Sequence, residues 1–310
     1  MLSAFTAQGT AHRPGQPGDT TVTSRTTHGA RLLIACPDQP GIVAAVSQLL
    51  FDVGANIVHS DQHTTAPSGG TFYMRLAFEL GHMDQRVPEL TTRLEPLATR
   101  FAMDWSLTRI GRPKRVAIFV SREDHCLLEL LWRQQSGDLD ADIAMVVSNH
   151  ADLRGIVEPR GIPFHHTPMT ADTKAEAEAQ QLALMEGNVD LVVLARYMQI
   201  LSADFIAAWP NRVINIHHGL LPAFVGASPY RQAHARGVKL IGATAHYVTP
   251  QLDAGPIIEQ DTERVDHHHG VDELRRIGRY VERVVLARAV QWHVEDRVLV
   301  DGERTVVFPS

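Results

Sequence analysis

The sequence predicts an α/β chain in two parts: a βαββαβ unit, then a doubly wound α/β domain. Three observations predict it. The chain has 310 residues, room for two domains at roughly 100–200 residues each. Between 29 and 110, short apolar runs of strand length flank two amphipathic stretches. Beyond 113, near-continuous aliphatic runs alternate with helical stretches, as expected of strands buried on both faces of a parallel sheet.

The elements follow in order. Residues 1–28 are rich in Thr, Gly, Pro and Ser, lack a long apolar run, and are expected to form a disordered tail rather than a secretory signal. RLLIAC at 31–36 is the first strand, ending at a Pro-Asp-Gln-Pro-Gly turn. Ile42, Val43, Val46, Leu49, Leu50 and Val53 recur at helical spacing, with Gly54 as the stop. Strands at 56–65 and 71–80 are separated by Pro67-Ser68-Gly69-Gly70. A helix at 87–100 and a strand at 101–110 close the unit, four strands with two helices on one face. A linker at 111–114 leads to aliphatic strands at 115–121, 143–148 and 189–195, interleaved with helices at 125–135, 151–160 and 171–187. Strands at 212–216, 243–249 and 256–264 follow, then a long helix at 271–294 and a terminal hairpin turning at Asp301-Gly302. The expected division is thus 1–28, 29–110 and 111–310.

Composition narrows the function. With 29 basic and 35 acidic residues and a net charge of −6, no global basic field exists to attract nucleic acid or an anionic membrane. No apolar run approaches the roughly 18 residues of a membrane span. Cys36 and Cys126 are far apart, and neither belongs to a C-x-x-C pair, which argues against a disulfide framework and suits a cytoplasmic location. The 17 His residues admit metal binding, acid/base chemistry or plain surface polarity.

The strongest chemical signal is VINIHHGLLPAF at 213–224, where an aliphatic strand runs into polar groups and a Gly/Pro turn. In open parallel sheets, ligands sit beyond the carboxyl ends of strands. Asn215 and His217 are two residues apart and share a face of the strand. An amide can donate to a developing oxyanion and an imidazole can move protons near neutral pH; equally, Asn215 can tie down a turn and His217 can pack. The second signal is a strand carrying His246 that leads to Leu252-Asp253-Ala254-Gly255-Pro256. Asp253 there can hold a water or tune a nearby His, or be an ordinary turn residue.

Together these segments resemble the N-formyltransferase family that uses 10-formyltetrahydrofolate, through N-x-H at a strand end, L-L-P-A-F after it, and an Asp in an L-D-x-G-P loop. The resemblance spans about 113–308 and rests on three separated motifs in order. It implies a Rossmann-like formyltransferase domain, with Asn215, His217 and Asp253 catalytic. It also implies folate-binding positions at Met198, Gln199, Ile200 and Leu201, at Pro222 and Phe224, and at His246. The front unit, with Asp38-Gln39-Pro40-Gly41-Ile42 and Gly54-Ala55-Asn56-Ile57, resembles a ferredoxin-like ACT domain. That likeness implies a homo-oligomer and an amino-acid effector, glycine or methionine, at Asp38, Pro40, Gly41, Ile42 and Asn56. The pairing of the two units is similar to the formyltetrahydrofolate deformylases, which implies hydrolysis of 10-formyltetrahydrofolate to formate and tetrahydrofolate, formate supply to purine synthesis and balance of the one-carbon folate pools, with no tightly bound cofactor. Gly219, Gln199 and Ser228 depart from the residues usual there, Ser and two cations.

Transfer to an amine ribonucleotide would require a phosphate cradle, ordinarily a Gly-rich turn opening a helix. Ser121-Arg122-Glu123-Asp124-His125-Cys126 has no glycine and two acids at that place, which favours water as acceptor. Transfer to a small amine, or a non-enzymatic sensor of folate or amino acid, are the competing readings. His267-His268-His269 and His165-His166 are expected in solvated loops, and the absence of H-E-x-x-H argues against a metal hydrolase.

Overall fold

The computed structural model describes residues 29–66, 68–223 and 229–309. The 1–28 tail, Pro67 of the hairpin turn, and Phe224 and Ser228 lie outside the described residues.

The first unit runs β1 (Gly29–Pro37), α1 (Ile42–Asp52), β2 (Asn56–Thr64), β3 (Thr71–Glu79), α2 (Met83–Phe101) and β4 (Asp104–Arg109). Its sheet has the order β2-β3-β1-β4, every neighbour antiparallel. Alternate residues of β1 (Ala30, Leu32, Ile34, Cys36) and β3 (Phe72, Met74, Leu76, Phe78) meet Ile42, Val46 and Leu50 of α1 and Leu90 and Leu94 of α2. The period-2 stripe of the strands is closed by the helical stripes, so one face of the sheet is a dry core. α2 begins one turn before the helix expected at 87, because buried Met83 extends its apolar face.

β3 is buried on its other face as well, through Tyr73, Arg75 and Ala77. There the sheet meets the second part of the chain. Arg75 Nε donates to the carbonyl of Asp296 at 2.9 Å and its Nη2 to that of Glu295 at 3.1 Å. The Asp296 carboxylate faces Arg31 at 3.4 Å and also pairs with Lys114. A helix end is rich in unpaired carbonyls, and two arginines of the first sheet grip it.

The second part continues with β5 (Lys114–Val120), α3 (His125–Ser136), β6 (Ala141–Ser148), α4 (Arg154–Val157), β7 (Phe164–His166), α5 (Lys174–Met185) and β8 (Leu191–Leu194). Then come α6 (Ala203–Ala208), β9 (Val213–His217), α7 (Pro229–Arg236), β10 (Leu240–Tyr247), β11 (Ile257–Arg264), α8 (Val271–Val294), β12 (Val298–Asp301) and β13 (Arg304–Val307). Seven strands form one sheet, β11-β10-β9-β8-β5-β6-β7. β7 through β9 in that order are parallel, while β10 and β11 run antiparallel at one edge. Strand order reverses at β5, between β6 and β8, which opens a crevice at the carboxyl ends of the strands.

Several local expectations change. His165 and His166 lie in edge strand β7, not in a loop: three residues suffice there because only β6 pairs with them. The helix expected at 151–160 is a single turn, Arg154–Val157, followed by a 3₁₀ turn at Glu158–Arg160, since Pro159 lacks the amide to continue it. The short helices α6 and α7 carry too few periodic apolar residues to announce themselves. No described helix is long and apolar enough to cross a membrane.

Candidate active site

A cavity of about 900 Å³ opens at the carboxyl ends of β8 and β9. Its wall includes Asn215, His217, His246 and Asp253, together with Met198, Gln199, Ile200 and Leu201. The loop holding these last four is anchored from below. Ser121 Oγ donates to Asn149 Oδ1 at 2.7 Å and accepts from the Met198 amide at 3.0 Å. Tyr197 packs edge-on against Phe119, centroids 5.3 Å apart. With the loop so fixed, Met198 and Ile200 present apolar side chains that are 59% and 63% exposed, available to an apolar ligand.

Asn215 and His217 stand on β9, and His246 is the cross-strand partner of Asn215 on β10. The hydrogen bonds of His246 fix its state. Its Nδ1 is 2.9 Å from the carbonyl oxygen of Tyr247, which can only accept, so Nδ1 carries the proton. Nε2 is therefore the lone pair, and it accepts from Asn215 Nδ2 at 3.2 Å. That contact sets the orientation of the Asn215 amide and leaves its second N–H free for a ligand.

Asp253 approaches from the loop after β10 at φ +53°, a left-handed conformation that Asp tolerates better than most residues. Its Oδ2 lies 3.3 Å from His217 Nδ1, and its Oδ1 3.8 Å from His246 Nε2. The contact with His217 holds the Asp253 carboxyl below the usual carboxylate range, against the opposing push of burial. His217 Nε2 is buried without a partner and faces Gly219, where a Cβ would come within 3.1 Å. Of the two ring nitrogens, Nδ1 is the one turned toward Asp253. The turn itself is tied to β10: Thr244 Oγ1 donates to the Gly219 carbonyl at 2.8 Å and accepts from the Leu221 amide at 3.0 Å. Pro222, which follows a cis bond, is exposed and off the described cavity wall, because Leu221 is drawn back toward β10 by Thr244 and Gln260.

Sequence reasoning missed the opposite wall. Glu282 of α8, 1% exposed, accepts from Tyr230 Oη at 2.6 Å, bonds His125 Nε2 at 2.8 Å, and faces Arg196 Nε at 3.5 Å. Burial raises its pKa, but His125 and Arg196 outweigh burial and hold it ionised. These residues come from the loop after β8 and from α3, α7 and α8, and no local motif joins them. His125, Cys126 and Glu282 are also the one group of described residues with metal-ligand spacing. Burial pushes the Cys126 thiol well up, and His125 Nε2 is already bonded to Glu282, so the donor set suits a hydrogen-bonded network better than an ion. Glu123 faces the cavity, as the argument against a phosphate requires, but Arg275 and Arg279 of α8 line it too and soften that repulsion.

The other predicted positions are dispersed. His267, His268 and His269 lie in a loop where His269 Nδ1 meets Asp266 at 2.8 Å. In the first unit, Asp38 accepts from Thr64 Oγ1 at 2.9 Å, beside exposed Pro40, Gly41 at φ +94° and buried Ile42. Asn56 starts β2 opposite Glu79, at the other end of the sheet, since α1 carries the chain back along the strands. Within one chain, Asn56 and the Asp38 loop do not meet.

Two site histidines couple the cavity to pH. Burial, then Arg196, pushes His218 from 6.5 down to about 4; burial also lowers His246. Both are neutral in the folded state at pH values where the unfolded chain binds protons. Their stabilising effect is full above about pH 6.5 and is lost progressively below it, for His218 until about pH 4. The loss is at most about 1.4 kcal/mol per pH unit for each ring. Thermal melts from pH 7 to 4 should show a falling midpoint over that window; a flat profile would contradict neutral buried rings.

The formyl transferase family matches residues 114–290, and the ACT domain family matches residues 30–91. The chain is 57% identical to a formyltetrahydrofolate deformylase of Bacillus subtilis, over 90% of this chain and 93% of that protein. Its fold matches the crystal structure of a formyltetrahydrofolate deformylase from Pseudomonas syringae with a TM-score of 0.86, at 47% identity, over 93% of this chain and 96% of that one. A glycinamide ribonucleotide transformylase from Symbiobacterium toebii matches more narrowly, with a TM-score of 0.60 and 32% identity over 64% of this chain and 96% of that one.

Proposed function

Since the chain belongs to the formyltetrahydrofolate deformylases, an ACT domain joined to a formyl transferase domain, we propose that its cavity hydrolyses the N10-formyl group of 10-formyltetrahydrofolate, with Asn215, His217 and Asp253 as the reacting groups. The observation that carries this reading is the Asp253 carboxylate held 3.3 Å from His217 Nδ1, beside an amide whose orientation His246 fixes.

Each group has a task in this reading. The ionised Asp253 and His217 Nδ1 hold a water and take its proton as it attacks the formyl carbon. The free N–H of Asn215 and the protonated His217 stabilise the oxyanion that forms. Return of the proton to N10 breaks the C–N bond. Met198, Gln199, Ile200 and Leu201 hold the folate, and His246 acts on it through Asn215. Pro222 and Phe224 belong to the same proposal; Pro222 stands off the described cavity wall and Phe224 lies outside the described residues. The domain division at 29–110 and 111–310 is retained as part of it. So are a homo-oligomer and a small amino-acid effector, glycine or methionine, at Asp38, Pro40, Gly41, Ile42 and Asn56.

The deciding experiment supplies purified full-length protein with 10-formyltetrahydrofolate and no amine acceptor, and follows formate. Stoichiometric formate and tetrahydrofolate are expected, unchanged by prior treatment with a chelator. Formyl transfer that occurs only when an amine is added would replace hydrolysis by transfer; loss of activity with chelator would require a metal.

A further inference from the structure

Arg196 has no part in the hydrolysis just described, yet its placement is unusual. It lies two residues beyond β8 at φ +64°, a conformation that a long side chain adopts only when its surroundings impose it. Its side chain is 14% exposed and lines the same cavity as Asn215, His217 and Asp253. Nε is buried, makes no hydrogen bond, and faces Glu282 at 3.5 Å. Glu282 is itself pinned by Tyr230 and His125. Among the described residues, neither terminal nitrogen of Arg196 makes a hydrogen bond. A buried carboxylate thus holds the guanidinium through Nε, and the side chain lines the cavity with its terminal fork uncommitted among the described residues. The cavity's other cations on α8 are engaged differently: Arg275 bonds Asp272 at 2.9 Å, and Arg279 faces Glu123 at 4.0 Å.

The chemistry of the proposed reaction supplies an occupant. Water adds to the formyl carbon, the C–N10 bond breaks, N10 gains one proton, and the one-carbon product loses another to become formate. That anion is born beside the ionised Asp253 and is repelled by it. Arg196, His218 and Asp253 line the same cavity, so the guanidinium can attract what the carboxylate expels. A planar fork of donors matches a planar carboxylate.

We infer that the Arg196 guanidinium, held by Glu282, is a binding site for a small planar carboxylate, and that formate occupies it after bond cleavage. The inference rests on hydrolysis as the reaction, but its test does not use turnover. Formate has a single proton resonance, and saturation transfer from the full-length protein, without folate, reads its binding directly. Wild type should bind formate, and nitrate, a planar anion of similar shape, should displace it. Arg196→Gln should weaken binding by at least about tenfold, and Arg196→Lys should weaken it as well, because charge without the fork does not suffice. Near-ultraviolet circular dichroism of both variants checks the fold. Absence of formate binding to wild type would overturn the inference, as would unchanged binding by folded Arg196→Gln or failure of nitrate to compete. Absence of formate release in the turnover assay would instead sink the hydrolysis reading and leave the direct binding result standing.

Discussion

Asp253→Asn is expected to lower turnover of 10-formyltetrahydrofolate by about 10²–10⁴-fold, the range for a positioned acid/base group, with little change in stability. The substitution is nearly isosteric. Asn also tolerates the left-handed φ of +53° at this position, so the backbone gives no reason for collapse. What is lost is the negative charge 3.3 Å from His217 Nδ1. An amide there neither takes a proton from water nor stabilises the imidazolium that forms in the transition state. Asn215→Ala and His217→Ala should fall by comparable factors, since an oxyanion donor is typically worth about 10²–10³-fold. Groups that act on one water are not additive. The double variant Asp253→Asn/His217→Ala should therefore be little worse than the poorer single variant. Initial rates of formate release at saturating folate measure all four. Near-wild-type turnover by folded Asp253→Asn would remove this carboxylate from the chemistry.

Glu282→Ala should be the most damaging single change to stability described here. Removing one partner from a buried ionic cluster costs about 3–5 kcal/mol, because the remaining charges stay buried and unpaired. Glu282 is 1% exposed and serves His125, Tyr230 and Arg196 at once. At about 2–4 °C per kcal/mol, the melting temperature should fall by on the order of 10 °C. Glu282→Gln keeps an acceptor for Tyr230 and should lose less. Thermal unfolding followed by circular dichroism separates the two, and a loss under about 1 kcal/mol in the alanine variant would mean that the cluster is not held by charge.

The first unit was legible because its strands are half-buried and its helices amphipathic: Leu32, Ile34, Val46 and Leu50 stand on their stripes in the sequence as in the fold. The parallel sheet was legible for the opposite reason, since strands such as β8 are buried on both faces and read as unbroken aliphatic runs. Edge strand β7 and helices α6 and α7 escaped because three to eight residues carry no period. Asn215 and His217 were found together because a strand places alternate residues on one face. Asp253 was found only through its motif, since nothing in the spacing from 217 to 253 brings it within 3.3 Å of an imidazole.

By itself, the sequence determined what local periodicity and motif order encode: two α/β units, the strand ends that carry polar groups, and the family those motifs resemble. Tertiary structure alone decided which nitrogen of His217 faces Asp253, which way the Asn215 amide points, and that Arg196, Tyr230 and Glu282 share one wall with His125 bonded to Glu282. It also decided that Asn56 and Asp38 lie at opposite ends of their sheet. The physical reason is the same in each case. Periodicity reports which face of an element is buried, whereas orientation, tautomer and pairing across elements are set by desolvated contacts between residues distant in the chain.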